Sequence, residues 1–464
     1  MAANPSAVVP STAVPEVVGP LGSLRIGVVG GGVLGMYLSW RLRSLGAAVE
    51  LFEAAPSTGG LASPDRIGNY DWDRFYHVML MSDQHLMSLI SDLGLEGSLN
   101  WGITKTGFLT DGKLVSMSSA VEFLRFPPLG LIEKLRLGGT IFLASKIRNW
   151  RALEKVLAVD WLSKHSGRRV VEKIWLPLLK SKLGDNYKVA SASFIWAIIA
   201  RMYAARRAGL KREMFGYVEG GYKTILDRLQ QAVDDSGVAT HYGAQVEEVS
   251  RSHARSTVAW NDRRSDFDAV ILTVPTGSIA QLCPDLGEVE KARLRSVTYQ
   301  GIICPSFVMK SSLSPYYVTN ITDSGVPFTG VIEMTALVDK KNFGGNALVY
   351  LPQYLTQDDP YWRKEDEAIY EDCLSALEQL YPHFRRDQVV AKGIARARQV
   401  LAVSTLDYSE KLLPPMETSL QNVFVLNSAQ IANGTLNVNE TLGVVNNRLP
   451  ELVSALRSLR REAA

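Results

Sequence analysis

Gly30, Gly32 and Gly35 stand at the spacing G-x-G-x-x-G within Gly30-Gly31-Gly32-Val33-Leu34-Gly35. That spacing suits a dinucleotide pyrophosphate. The first glycine permits a tight turn, the second lets the backbone approach the phosphates, and the third lets a helix close on a strand. Val33 and Leu34 carry the turn into the helix, whose free N–H groups and positive dipole end face the anion. Glu53 follows where a carboxylate accepts hydrogen bonds from a ribose hydroxyl, and its charge would repel a 2′-phosphate. A second chemical group is Tyr70-Asp71-Trp72-Asp73-Arg74-Phe75-Tyr76-His77. Histidine is the side chain that exchanges protons near neutral pH, so His77 is a candidate base, and Tyr76 can position a substrate by hydrogen bonding.

Those residues need a scaffold, and the flanking pattern supplies one. Leu24 to Val29 reads as a buried strand; Leu34, Leu38, Leu42 and Leu45 fall on one helix face; Gly46 ends the helix; and Val49-Glu50-Leu51-Phe52 is a second strand. The order strand, glycine turn, helix, strand, acid is a parallel βαβ unit. Further along, Tyr222 to Val233 reads as an amphipathic helix, Ala239 to Val249 as a strand-pair region, and Asp268 to Pro275 as a buried strand. Asn422 to Leu426 is a short strand, with a final helix expected from about Asn446 to Arg461. Residues 97–215 read as mostly helical, and 288–395 as short strands with a helix from Glu365 to Leu380. The expected fold is α/β: a Rossmann-like domain from the discontinuous segments 23–96, 216–287 and 396–464, and a substrate domain of mixed sheet and basic helical cap from 97–215 and 288–395. Residues 1–22 read as a flexible tail.

Composition narrows the class. The chain has 464 residues, 46% hydrophobic and 21% charged, which excludes wholesale disorder and suits about two to four domains. Cys283, Cys304 and Cys373 are few, odd in number and far apart, so a disulfide framework is not expected and a reducing, cytoplasmic setting is. The six histidines show no metal-ligand spacing, and no metal site is expected. His165, His241, His253 and His383 sit among polar neighbours and read as surface groups. The longest apolar run, Ser193 to Ala200, is too short to span a bilayer.

After Glu53 comes Ala54-Ala55-Pro56-Ser57-Thr58-Gly59-Gly60, an acid followed by paired glycines. Here the sequence resembles the flavin amine oxidase, protoporphyrinogen oxidase and phytoene desaturase superfamily. Gly220-Gly221 is similar to that group's glycine pair opening an amphipathic helix. Gln245-Val246-Glu247-Glu248-Val249 resembles its adenine-contacting strand, with Val246 as the backbone contact. Asp268 to Pro275 matches its D-x-V-I-x-x-x-P strand. The resemblance implies FAD rather than NAD, with Gly59 and Gly60 beside the flavin. Members usually end on Gly-Asp or Gly-Glu. This chain instead runs through Asn427-Ser428-Ala429 to Asn437 and Gly443, so Asn427, Asn437 and a helix beginning near Gly443 are the expected last contacts.

The resemblance also implies dehydrogenation, with hydride passing to flavin N5 and onward to oxygen or a quinone. The substrate would be hydrophobic: an isoprenoid, a porphyrinogen or an amine. Tyr70 to His77 is then expected beside the isoalloxazine. His77 is either catalytic or a histidine satisfied within the core. Arg74 either contacts flavin phosphate or pairs with Asp71 or Asp73. Lys310, Lys340 and Lys341 are open equivalents of a lysine that some amine oxidases place near N5. Glu333, a carboxylate within the apolar Val331-Ile332-Glu333-Met334-Thr335, faces either the pocket or solvent, and the pocket is preferred. The alternative activity is non-redox flavin chemistry resembling UDP-galactopyranose mutase, on a nucleotide sugar.

Charge separates the chain's parts. The formal net charge is +3, yet 125–212 contains 19 Lys or Arg against 5 Asp or Glu, a net +14, leaving −11 for the rest. Aromatic residues, Trp150, Trp161, Trp175 and Trp196 among them, are interleaved with this charge. Three occupants suit such a block: an anionic membrane surface, a substrate phosphate held by Arg forks, or water alone over a self-contained cap. Nucleic acid is not expected, since no recognised binding motif accompanies the charge. Peripheral membrane contact is the preferred functional reading, beside a hydrophobic or anionic small-molecule substrate.

Overall fold

The computed structural model describes residues 21–22, 24–118, 120–207, 214–252 and 254–462. Most of the expected tail, and His253, lie outside them. The tail's last residues are packed: Leu21 is buried, and its N–H donates to Leu45 O at 2.6 Å.

The βαβ unit forms the centre of a five-stranded parallel sheet ordered Val423–Val425, Ala269–Leu272, Arg25–Val29, Ala48–Phe52, Ala239–His241. Successive strand residues point to opposite faces. Ile26, Val28, Val49 and Leu51 pack under the helices Val33–Ser44, Tyr222–Asp235 and Val438–Glu462. Val29, Phe52, Val270 and Leu272 face the other way, against the antiparallel strands Val246–Ser252, Arg255–Trp260 and Arg263–Phe267. Apolar runs buried on both faces are what a parallel sheet requires.

The second sheet is mixed, ordered Gln353–Leu355, Tyr299–Met309, Ala347–Tyr350, Gly330–Glu333, Val318–Ile321, Thr106–Thr110, Lys113–Ser116, with Val389–Ala402 also paired to Tyr299–Met309. All eleven residues of Tyr299–Met309 are buried. One face of this sheet is covered by the helix Asp366–Leu380, while the other packs on Trp72, Phe75, Phe215 and Tyr217.

Several expectations change. Residues 97–215 are not helical from their start: Leu99–Ile103, Thr106–Thr110 and Lys113–Ser116 are strands, and Leu99–Ile103 pairs with Met214–Val218. That strand runs through the expected boundary at 215, and Val389–Ala402 runs through the one at 395. The last helix begins at Val438, eight residues before the expected Asn446, because Asn437 Oδ1 accepts from Glu440 N at 3.0 Å and caps its first turn. The cap itself consists of helices between Ala120 and Arg207 whose Leu137, Trp161, Trp175, Leu179 and Phe194 close on one another. Among the described residues no helix is long and apolar enough to cross a membrane.

Candidate functional site

The turn after Arg25–Val29 is fixed by its neighbours. Gly30 adopts φ +112° and donates to Phe52 O at 2.9 Å, and the Thr273 hydroxyl hydrogen-bonds to Val29 O and Gly30 O, both at 2.9 Å. A Cβ on Gly35 would stand 1.8 Å from Gly30 O, so the helix can close on the turn only without one. Gly32 differs: a Cβ there would meet only Gly60 Cα, at 4.0 Å. The second glycine therefore borders open space where backbone and ligand can approach. Glu53 accepts from Gly31 N and Ala55 N, both at 2.8 Å, so both its oxygens are fixed beside the turn. A carboxylate has about four lone-pair sites, leaving capacity for a ribose hydroxyl.

A second glycine loop lies on the first. Gly59 N donates to Gly31 O at 2.8 Å, and Gly60 adopts φ +58°. A third loop, Gly220-Gly221 at φ +81° and +73°, opens the helix Tyr222–Asp235, whose Leu226 packs against Gly59. Gly221 has no side chain to cap that helix. The buried Asp73 does so from a distant strand, its Oδ1 accepting from Tyr222 N at 2.8 Å.

The segment containing Asp73 has an unusual feature. Trp72 Nε1, Arg74 Nε and His77 Nδ1 are all buried without a hydrogen-bond partner. Leaving such groups unpaired costs about 1–3 kcal/mol each, so three within six residues mark where a polar ligand belongs. Arg74 makes no ion pair among the described residues, which leaves its guanidinium available to a phosphate rather than to Asp71 or Asp73. The His77 ring lies 4.7 Å from that of Tyr222, with Nδ1 3.6 Å from Asp73 Oδ2, beyond hydrogen-bond length. The open face at Gly32, the held Glu53 and these nitrogens together suit the pyrophosphate, ribose and polar groups of a dinucleotide.

Tyr76 meets the cap. Its Oη is 2.9 Å from Tyr354 Oη and accepts from Lys182 Nζ at 2.9 Å. Burial pushes both phenols above the ordinary tyrosine range, so they stay neutral donors at working pH. Lys182 was not among the expected lysines. Lys341 lies 3.5 Å from Glu219 Oε1, and the sequence has no signal that brings the helix Leu176–Leu183 over Tyr76.

Other expected residues lie elsewhere. Glu333 pairs with Val349 and Ile332 with Tyr350; Ile332 and Tyr350 pack beside Tyr76, so alternation turns Glu333 to the opposite sheet face, among residues around Tyr381. There its carboxylate accepts from Leu313 N at 2.9 Å and Thr335 Oγ1 at 3.0 Å, and burial pushes it up to about 7. It faces neither Tyr76 nor solvent. Val246 opens its strand opposite Trp260, and Ala244 just before it donates to Glu53 O at 2.8 Å, so this strand starts beside the acid. Asn427 spends its amide within the fold, Nδ2 donating to Val274 O at 2.8 Å and Oδ1 accepting from Ala429 N at 3.1 Å. Asn437 is the helix cap. Gly443 lies five residues inside the helix, where a Cβ would stand 3.0 Å from His85 Cδ2, so it is a packing glycine. His241, read as a surface group, stacks on Phe52 at 4.8 Å and pairs with Glu50 at 3.0 Å. All three cysteines are buried and free.

The chain is 24% identical over 294 residues to the coproporphyrinogen III oxidase of Mycobacterium tuberculosis, covering 58% of this chain and 63% of that protein. It is 27% identical over 301 residues to protoporphyrinogen oxidase 2, chloroplastic/mitochondrial, of Arabidopsis thaliana, covering 56% and 58%. The matches thus span less than two thirds of either relative's length. The solved structure of reduced UDP-galactopyranose mutase shares the fold, with TM-score 0.72 at 14% identity over 95% of this chain and 98% of that one. The family model for flavin containing amine oxidoreductases matches residues 35–431, and the chain belongs to that family.

Proposed function

We propose that the chain is an FAD-dependent oxidoreductase that dehydrogenates a hydrophobic substrate of the porphyrinogen type. Family membership supports the reaction class, and the names of the two curated relatives support the substrate class. The observation that carries the reading is the set of unpartnered nitrogens on Trp72, Arg74 and His77 in the segment packed against Gly221 and Tyr222.

When bound, FAD supplies a two-electron acceptor for hydride. The chain's own groups do the rest. With FAD bound, the turn shaped by Gly30 and Gly35 would let the backbone at Gly32 approach the pyrophosphate, Arg74 would offset its charge, and Glu53 would hold the ribose. Gly59 and Gly60 would line the same cofactor. Trp72, Phe343 and Tyr350 are buried together, with Phe343 behind Trp72 at 4.9 Å, and would help exclude water from a cofactor held beside them. His77 would move a proton, a role its unpartnered Nδ1 supports, and Tyr76, with Tyr354 and Lys182, would hold a polar edge of the substrate.

The test is anaerobic. Adding coproporphyrinogen or protoporphyrinogen to the purified yellow protein should bleach the flavin while porphyrin fluorescence rises. A flavin left oxidised by porphyrinogens, isoprenoids and amines alike overturns the reading. Non-redox sugar chemistry is the second reading, supported by the shared fold of the mutase and by Lys182 at Tyr76 as an anchor for an anionic substrate. It requires turnover of a nucleotide sugar only after the flavin is reduced beforehand, with no net redox change.

A further inference from the structure

Seven of the sixteen large hydrophobic side chains exposed among the described residues fall between Val121 and Leu143, in two consecutive helices of the cap. Leu131, Ile132 and Leu135 are each about two thirds exposed, and Leu124 and Phe142 more than half. On the helix Leu131–Lys146 the spacing 131, 135, 138, 142 traces a single line, and 132, 139, 143 traces the line beside it. Gly138 and Gly139 occupy the middle of this face, and nothing lies within 4 Å of a Cβ added to either. Leu137, Thr140 and Ala144 are buried on the opposite side, so the helix is anchored inward and still presents an apolar stripe outward. A solvated helix has the reverse pattern. Contiguous exposed apolar surface of this kind marks an interaction site.

Charge identifies the occupant. Arg125, Arg136, Lys146, Arg148 and Arg151 are exposed at this stripe or just beyond its ends, and among the described residues none of them pairs with a carboxylate. Lys146 Nζ lies 5.3 Å from the Phe142 ring centroid, placing a cation directly beside an exposed aromatic. Glu133, the one acid of this helix, stands 4.0 Å from Arg169 Nη1. A protein groove that received the apolar stripe would have to match five uncompensated cations around it. A lipid surface meets both demands at once, acyl chains taking the apolar residues and anionic headgroups the cations.

We infer that the outward face of the helix Leu131–Lys146, with Leu124 beside it, docks this chain on an anionic bilayer, the helix lying in the plane of the headgroups. The inference is independent of the redox reading, because adsorption needs neither flavin chemistry nor substrate.

The test is co-sedimentation of the full chain with vesicles of equal parts phosphatidylcholine and phosphatidylglycerol, and with vesicles of phosphatidylcholine alone. The wild-type protein should partition onto the anionic vesicles at least about tenfold more strongly, and lose that binding as salt is raised. L135D/F142D and K146E/R148E, all at exposed positions, should each lower partitioning by at least about tenfold while the flavin absorbance and melting temperature stay at wild-type values. Phe142→Trp should show a blue-shifted emission on anionic vesicles. Absence of binding at low salt, equal binding to neutral vesicles, or anionic binding untouched by L135D/F142D overturns the inference. So does a dimer in solution that L135D/F142D dissociates without any vesicle binding, since the face would then join two copies of this chain.

Discussion

Gly35 and Gly138 both lie on helices, one in the nucleotide cradle and one on the cap. A Cβ on Gly35 would stand 1.8 Å from a backbone oxygen, whereas one on Gly138 would have nothing within 4 Å. The two regions differ in the same way throughout. The cradle is built from close backbone approaches and polar groups held by fixed partners: Glu53 by two amides, Asp73 by a helix N-terminus, Gly59 by Gly31. The cap's outward face is built from side chains that touch little. A binding site for a small rigid ligand needs the first kind of construction, and a surface that adsorbs to something soft needs only the second.

Substitutions in the two regions should therefore differ in size and in kind. Gly35→Ala is expected to have the largest effect. The methyl cannot be accommodated unless the helix moves off the turn, which should destabilise the protein by about 3 kcal/mol or more and release the flavin. Thermal unfolding together with flavin absorbance after desalting measures both. A variant that keeps full flavin and wild-type stability would show the cradle to be as yielding as the cap. Asp73→Ala comes next. It removes the carboxylate that caps Tyr222–Asp235 and lies nearest His77, at a cost of about 2 kcal/mol by denaturant unfolding. A loss of about 0.5 kcal/mol or less would mean that the glycine pair alone fixes the helix start.

The contrast also explains what could be read in advance. Gly30, Gly32, Gly35 and Glu53 were legible because a tight turn and a short crossover are local, and the residues that make them are adjacent in sequence. Asp73 was named only as part of a polar segment, because its partner, Tyr222 N, lies 149 positions away and leaves no local trace. Glu333 was visible as a carboxylate in an apolar strand, yet which face it takes depends on the pairing of Ile332 with Tyr350. Gly443 lies inside the helix rather than at its start because the helix begins at Val438, and Asn437 followed three residues later by Glu440 is the local capping signal for that start. The excess of charge in the cap was legible from composition. Its apolar stripe through Leu135, Phe142 and Leu143 was legible too, but whether that side faced outward or into the cap's own core was not, until the burial of Leu137 and Ala144 fixed the helix's orientation.

Charge behaves differently in the two settings, and pH separates them. The cap's exposed cations are solvated, but Glu333 is buried, with its carboxyl pushed up to about 7. In the unfolded chain a glutamate has a pKa of about 4.3. The folded state therefore holds the proton more tightly. Its contribution to stability is fully present below the unfolded value and is lost as pH rises through about 7. Urea unfolding should show the wild-type protein losing about 2 kcal/mol between roughly pH 5 and pH 8, while Glu333→Gln, which cannot ionise, should lack that component. Identical pH profiles for the two proteins would mean that the carboxylate is stabilised by its donors at Leu313 and Thr335 as well as it would be by water.

The smallest expected effect has the opposite sign. Gly138→Ala places a methyl on the open face of the helix Leu131–Lys146, where it meets no neighbour. Glycine in a helix interior costs about 0.5–1 kcal/mol relative to alanine, chiefly through the freedom it gives the unfolded chain, so the variant should be more stable by about that amount. Its flavin content should not change. Because the added methyl extends the apolar stripe between Leu135 and Phe142, partitioning onto anionic vesicles should hold or rise slightly. A Gly138→Ala protein that is less stable than wild type would show that something covers this face in solution. Measured beside Gly35→Ala, the same change of one hydrogen for one methyl then reports which helix face is closed by the fold and which is left for a partner.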